Sequence, residues 1–168
     1  ARQSELQQER DEAGAEDRVA VYTGNDDHIV LDLLEPFTSL RDGEEVRVRI
    51  RGGLLGHWSV WTRRAVEQLA RIHHAIDSGT IDADLLALNS KITDCNRAVF
   101  DVEHGFAGCI PGCHEILRRQ GLLEGTWCLN PDEVLSPGQA EELDRVHTGY
   151  PEMNDDAFVA ENLERWLG

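Results

Sequence analysis

The sequence predicts an α/β protein in which two strand-loop-helix units are followed by a bundle of helices. Three observations carry this expectation. Two short apolar runs, one continuous and one alternating, each stop at small residues and are each followed by a stretch of helical period. Beyond residue 79 only helices follow, the first with Leu85, Leu88, Ile92, Cys95 and Val99 at alternating steps of three and four, so residues 1–79 and 80–168 divide into a strand-bearing part and a helical part. Two parallel strands cannot cover both faces of a sheet, so the layout implies further strands outside these residues.

Residues 1–17 are almost wholly polar and read as an exposed helix end running into a turn. Val19, Ala20, Val21 and Tyr22 then form a buried strand that stops at Thr23-Gly24-Asn25. Asp26 or Asp27 can cap the helix that follows, whose buried face is Ile29, Val30, Leu33, Leu34 and Phe37, with Pro36 breaking the ladder. After a polar turn, "SLRDGEE", Val46, Val48 and Ile50 alternate with Arg47, Arg49 and Arg51 at the period of a strand that ends in glycines. From Thr62 the spacing of Ala65, Val66, Leu69, Ile72 and Ile76 marks a helix closed by Gly79. Leu85, Leu88, Ile92, Cys95 and Val99 form a narrow seam suited to packing on another helix. Pro111 and Gly121 bracket the next helix. Ser136-Pro137-Gly138-Gln139 reads as a capping box for another, and Phe158, Val159, Leu163, Trp166 and Leu167 supply the apolar side of a last one.

A net charge of −16 argues against nucleic acid or an anionic membrane as partner, because both require clustered Lys and Arg. No membrane span and no signal peptide is visible, which points to the cytoplasm and to reduced thiols at Cys95, Cys109, Cys113 and Cys128. The chain opens without methionine and carries one lysine, Lys91, and it reads as a piece of something longer.

Among the motifs, "GCIPGCH" has the wrong spacing for haem attachment and matches no familiar zinc arrangement. Cys109 and Cys113 fall at i and i+4 of a helix start, where thiols act as small hydrophobes, and no metal and no cofactor is expected. His73 and His74 point about 100° apart and cannot share a metal; they read as a solvated face with one half-buried ring. "TGNDDH" offers small and amide residues where a strand turns into a helix, either to admit a substrate or simply as a Gly-Asn turn with an Asp cap. "RGGLLGHW" removes side chains where the second strand ends, for a ligand or for close packing. Two such loops on parallel strands would open on one side of the sheet.

These stretches carry a resemblance. "VAVYTGNDD" resembles the seventh-strand segment of the dihydrodipicolinate synthase / N-acetylneuraminate lyase family, and the run from Gly52 to Phe100 resembles its eighth strand, eighth helix and first bundle helix. "GCIPGCHEILRRQGLLEG" and "VLSPGQAEELDRV" are similar to its last helices. The resemblance implies the last two strand-helix units of a (β/α)8 TIM barrel, with a helical appendage and the remainder of the barrel outside this chain. It also implies Schiff-base chemistry on a 2-oxo acid or sugar-derived substrate, and an association of several copies. The Schiff-base lysine and the carboxylate-binding loop would precede Ala1, because Lys91 lies on a bundle helix. Thr23, Gly24, Asn25 and Asp26 fall where the family contacts substrate, and Gly53, Leu55, Gly56 and Trp58 on its eighth-strand segment. His57 is the candidate proton carrier; it and Trp58 depart from the small polar residues usual there, and "TSLRDGEEVRVRI" lengthens the connection. If Arg49 or Arg51 faces the barrel interior it can grip a carboxylate; otherwise the strand has one solvated face. The competing expectation is a non-catalytic barrel relative that binds a small acidic metabolite.

Overall fold

The computed structural model describes residues 20–168. Expectations for residues 1–17 and for Val19 lie outside the described residues. The chain is mixed α/β: β1 (Val21–Thr23), α1 (Ile29–Leu34), β2 (Pro36–Arg41), β3 (Glu44–Gly53), α2 (Thr62–Ser78), α3 (Ala83–Phe100), α4 (Cys109–Arg119), α5 (Gln139–Gly149) and α6 (Asp156–Leu167). Short 3-10 turns occupy Gly56–Ser59 and Val102–His104.

The sheet has β3 at its centre, in the order β1-β3-β2. β1 runs parallel to β3, pairing Val21 with Ile50, Tyr22 with Gly52 and Thr23 with Gly53. Arg51 has no counterpart on β1, so β3 carries a bulge there, and Ile50 and Gly53 fall on the same face. That face is covered: Val21, Thr23 and Ile50 are buried, and Ile29 of α1 fills the space beside Gly53. The opposite face is open among the described residues. There the Tyr22 ring lies over Gly52 and remains 60 % exposed, and Leu54 beyond it is 72 % exposed.

The connection between α1 and β3 differs from the expected polar turn. The helix stops at Leu34, and Pro36 begins β2, which pairs antiparallel with β3 from Pro36↔Arg49 to Arg41↔Glu44. Asp42 and Gly43 both have positive φ, 53° and 88°, so a two-residue turn of type I′ joins the strands, with the twist a hairpin needs. Phe37 therefore belongs to this hairpin and not to the helical face. Neither Asp26 nor Asp27 caps α1: its N-cap position is His28, without a side-chain bond. On β3, Arg49 donates to the Leu34 carbonyl at 3.0 Å and Arg51 is exposed.

α3 is the central helix. It lies against α1, the Gly56–Ser59 turn, α4 and α5. Its seam of Leu85, Leu88, Ile92, Cys95 and Val99 is fully buried, as the spacing requires. One cluster of buried side chains runs from Val21 and Ile29 through Trp61 and Ile72 to Leu143 and Met153, across the junction at residues 79 and 80. Close approach explains two glycines: a Cβ at Gly56 would fall 1.9 Å from the Phe100 ring, and one at Gly112 2.1 Å from the Val99 carbonyl oxygen. Gly79 adopts a φ of 68° and closes α2 as expected. Only Val159 of α6 is buried; Phe158, Trp166 and Leu167 are exposed.

The expected capping box is half formed. The Ser136 N–H donates to Gln139 Oε1 at 3.1 Å, but the Ser136 hydroxyl donates to Asp101 Oδ2 at 2.6 Å and not back into the helix. Asp101 ends α3 in the left-handed region and is 4 % exposed; its carboxylate also accepts from the Gly108 N–H and meets His104 Nδ1 at 2.7 Å. Gln139, equally enclosed, donates to the Gly108 and Val99 carbonyls at 3.0 and 3.3 Å. Burial raises the Asp101 carboxyl's pKa, and these donors together outweigh that, holding it below its ordinary value. No helix of the described residues is long and apolar enough to cross a membrane.

Candidate functional site

The loops after β1 and β3 open at the same end of the two parallel strands, and the Leu54 N–H donates to the Thr23 carbonyl at 2.9 Å where they leave the sheet. Both loops are fastened to one stripe of α3. Asn89, Thr93 and Asn96 recur at i, i+4 and i+7, on one side of that helix. Asn89 donates to the Asp27 carbonyl at 2.7 Å and accepts from the Val30 N–H at 3.1 Å. Thr93 donates its hydroxyl to the Asp26 carbonyl at 3.0 Å. Asn96 touches both loops: its Nδ2 donates to Asp26 Oδ2 at 2.8 Å, and its Oδ1 accepts from the His57 backbone N–H at 3.1 Å.

His57 is 1 % exposed, set on the 3-10 turn between Trp58 and Trp61, with the Trp61 ring edge-on at 5.8 Å between centroids. Its Nδ1 lies 3.3 Å from Asn96 Oδ1. Burial lowers its pKa to about 4 against the opposing bond from Asn96, so the ring is neutral at pH 7. The indole N–H groups of Trp58 and Trp61 are buried without partners among the described residues.

The other expected contact residues separate into two groups. Thr23 is buried, its hydroxyl donating to Asp32 Oδ2 at 2.7 Å, and Leu55 is part of the core. Gly53 and Gly56 admit Ile29 and Phe100, so their missing side chains serve close packing. Gly24 and Asn25 are exposed, and Asp26 and Trp58 are half-buried at the edge of the loops. Burial, ahead of the Asn96 bond that opposes it, leaves the Asp26 carboxyl above its ordinary pKa. Leu54, Trp58, Phe100, Ile110 and Leu117 line an open, mostly apolar groove beside the β3 loop. The Asn89-Thr93-Asn96 stripe was not among the expected site residues; its sequence signal is a set of polar side chains at helical spacing beside an apolar seam.

"GCIPGCH" occupies the start of α4. Burial pushes the Cys113 thiol up to about 11 and the Cys95 thiol up to about 12, so both are protonated at neutral pH. Cys128 Sγ lies 3.8 Å from His114 Nδ1. Among the described residues no three His, Cys, Asp or Glu side chains are grouped to hold a metal ion. His73 and His74 are both exposed on α2, so the half-buried ring expected of the pair is not found. Lys91 lies on α3, as its spacing requires, 2.5 Å from Glu152 and over the Tyr150 ring; the Glu152 bond raises its pKa and keeps it a cation.

No protein-family model matches the chain, and neither a curated protein nor a solved structure matches it.

Proposed function

We propose that this chain forms the closing part of an aldolase- or lyase-type (β/α)8 barrel of the dihydrodipicolinate synthase / N-acetylneuraminate lyase kind, acting on a 2-oxo acid or sugar-derived substrate. The observation that supports it most is the parallel register of β1 and β3, joined through α1 and the antiparallel strand β2, with both loops at one end and one sheet face left open at Tyr22 and Leu54. Parallel sheets are stable with both faces covered, and further strands closing a cylinder would cover this one. In this reading the electron sink is an iminium: a lysine amine adds to the 2-oxo carbonyl and water leaves. In this reading that lysine comes from outside the chain, because Lys91 lies on α3, paired with Glu152. In this reading Asn25 and Asp26 contact the substrate, and His57, a neutral imidazole, is the proton carrier.

The test is borohydride reduction of the complete polypeptide in the presence of pyruvate and other 2-oxo acids. A mass increase equal to the reduced adduct, on a lysine other than Lys91, is the expected result. Absence of an adduct with every 2-oxo acid tried overturns the catalytic reading. It favours the second one, a barrel relative that binds a small acidic metabolite, to which the enclosure of His57 lends weight.

A further inference from the structure

We propose that Asn96 is a positioning residue: from the central helix, its single amide ties the two strand-end loops to each other and fixes His57 as the Nδ1–H tautomer, leaving Nε2 as the acceptor nitrogen of the ring. The proposal does not depend on the Schiff-base reading.

A backbone N–H can only donate, so the Asn96 atom 3.1 Å from the His57 nitrogen is the amide oxygen. The amide NH2 then faces Asp26 Oδ2 at 2.8 Å, and an ionised carboxylate can only accept. The orientation is thereby fixed from both sides. The same oxygen lies 3.3 Å from His57 Nδ1, and an oxygen that can only accept requires that ring nitrogen to carry the proton. Free imidazole side chains favour the Nε2–H form, so the tautomer here is imposed. With the proton on Nδ1, Nε2 is the nitrogen of the ring that accepts. Asn96 is 2 % exposed, so water does not compete for the amide. The stripe of Asn89 and Thr93 holds the Asp26–Asp27 backbone to the same helix, so Asn96 acts on a loop already placed.

Two measurements on the full chain test this. Long-range nitrogen–proton correlation spectra of the histidine rings report the tautomer of His57 directly. The expected spectrum at neutral pH is a neutral ring with a protonated Nδ1 in the wild type, shifting toward Nε2–H in Asn96→Ala. A wild-type ring protonated on Nε2, or a signal unchanged in Asn96→Ala, overturns the proposal and reduces Asn96 to packing. The second measurement reverses the polarity of the pair. Asn96→Asp alone sets two carboxylates against each other and lowers the melting midpoint by about 4 °C or more. Combining it with Asp26→Asn restores a donor opposite an acceptor while the His57 N–H keeps its partner, so the double variant regains more than half of the loss. A double variant no better than the sum of its singles overturns the proposal, even where Asn96→Ala folds poorly. Neither readout uses a substrate, so failure here and failure of adduct trapping are separate results.

Discussion

The sheet-facing stripe of α3 and its C-cap bury polar groups in opposite ways. Toward the sheet, Asn89, Thr93 and Asn96 hold two loops with neutral amides and a hydroxyl, and the one ring beside them, His57, is kept uncharged. At its C-terminal end the helix stops on a buried carboxylate, Asp101, which gathers Ser136, Gly108 and His104. A neutral fastening costs little desolvation and leaves a loop free to present its other groups to solvent. An ionic one must be saturated with donors to be tolerated, and once saturated it ties three segments to one point.

The largest effect is expected where the carboxylate is deleted. Asp101→Ala strands the buried Gly108 N–H and releases the Ser136 hydroxyl, at a cost of about 3 kcal/mol in denaturant unfolding. If its cost is no greater than that of deleting a surface carboxylate, the ionic end contributes nothing special. Gly112→Ala follows: its Cβ would meet the Val99 carbonyl oxygen, which is backbone and cannot turn aside, and about 2 kcal/mol remains after the gain in helix propensity.

Acid separates the stripe from the C-cap by pH. The His57 pKa is depressed on folding, so its contribution is complete above the unfolded value of 6.5 and is lost as pH falls toward about 4. The slope in that window is at most on the order of 1.4 kcal/mol per pH unit, and Asp26, raised by burial, works against it. Asp101 is depressed as well, so its contribution is lost only below the ordinary carboxyl range. His57→Gln should therefore flatten the stability profile between pH 6.5 and 4 and leave the acid limb in place. An unchanged profile would show that the ring is not buried neutral. The smallest effect belongs to the solvent side of the same turns, where Lys91 and Glu152 form an exposed pair. Lys91→Ala should leave the melting midpoint within error and adduct formation by the complete polypeptide intact.

Periodicity made most of this legible. The seam of α3, the alternation in β3 and the glycine that closes α2 all follow from local rules, and the parallel pairing follows from a strand-helix-strand order. β2 was hidden because Phe37 continues the helical spacing of Ile29, Val30, Leu33 and Leu34; the counter-signal was Pro36 together with Asp42-Gly43, the dipeptide of a type I′ hairpin. At the site, the position of the two loops was readable from where the apolar runs stop. Which side chains stay exposed was not, because the burial of His57 and the cover over Gly56 depend on α3 and on Phe100, forty residues or so away. The Asn96 amide is invisible for the same reason: one polar residue on a helix looks alike whether it meets water or two loops.

The solitary lysine turns the central helix into its own reporter. An endoprotease that cuts only after lysine has one scissile bond in these 168 residues, and it lies inside α3, where a folded helix cannot enter a protease cleft. The rate of that single cut therefore reads how often α3 unravels, without any label or engineered site.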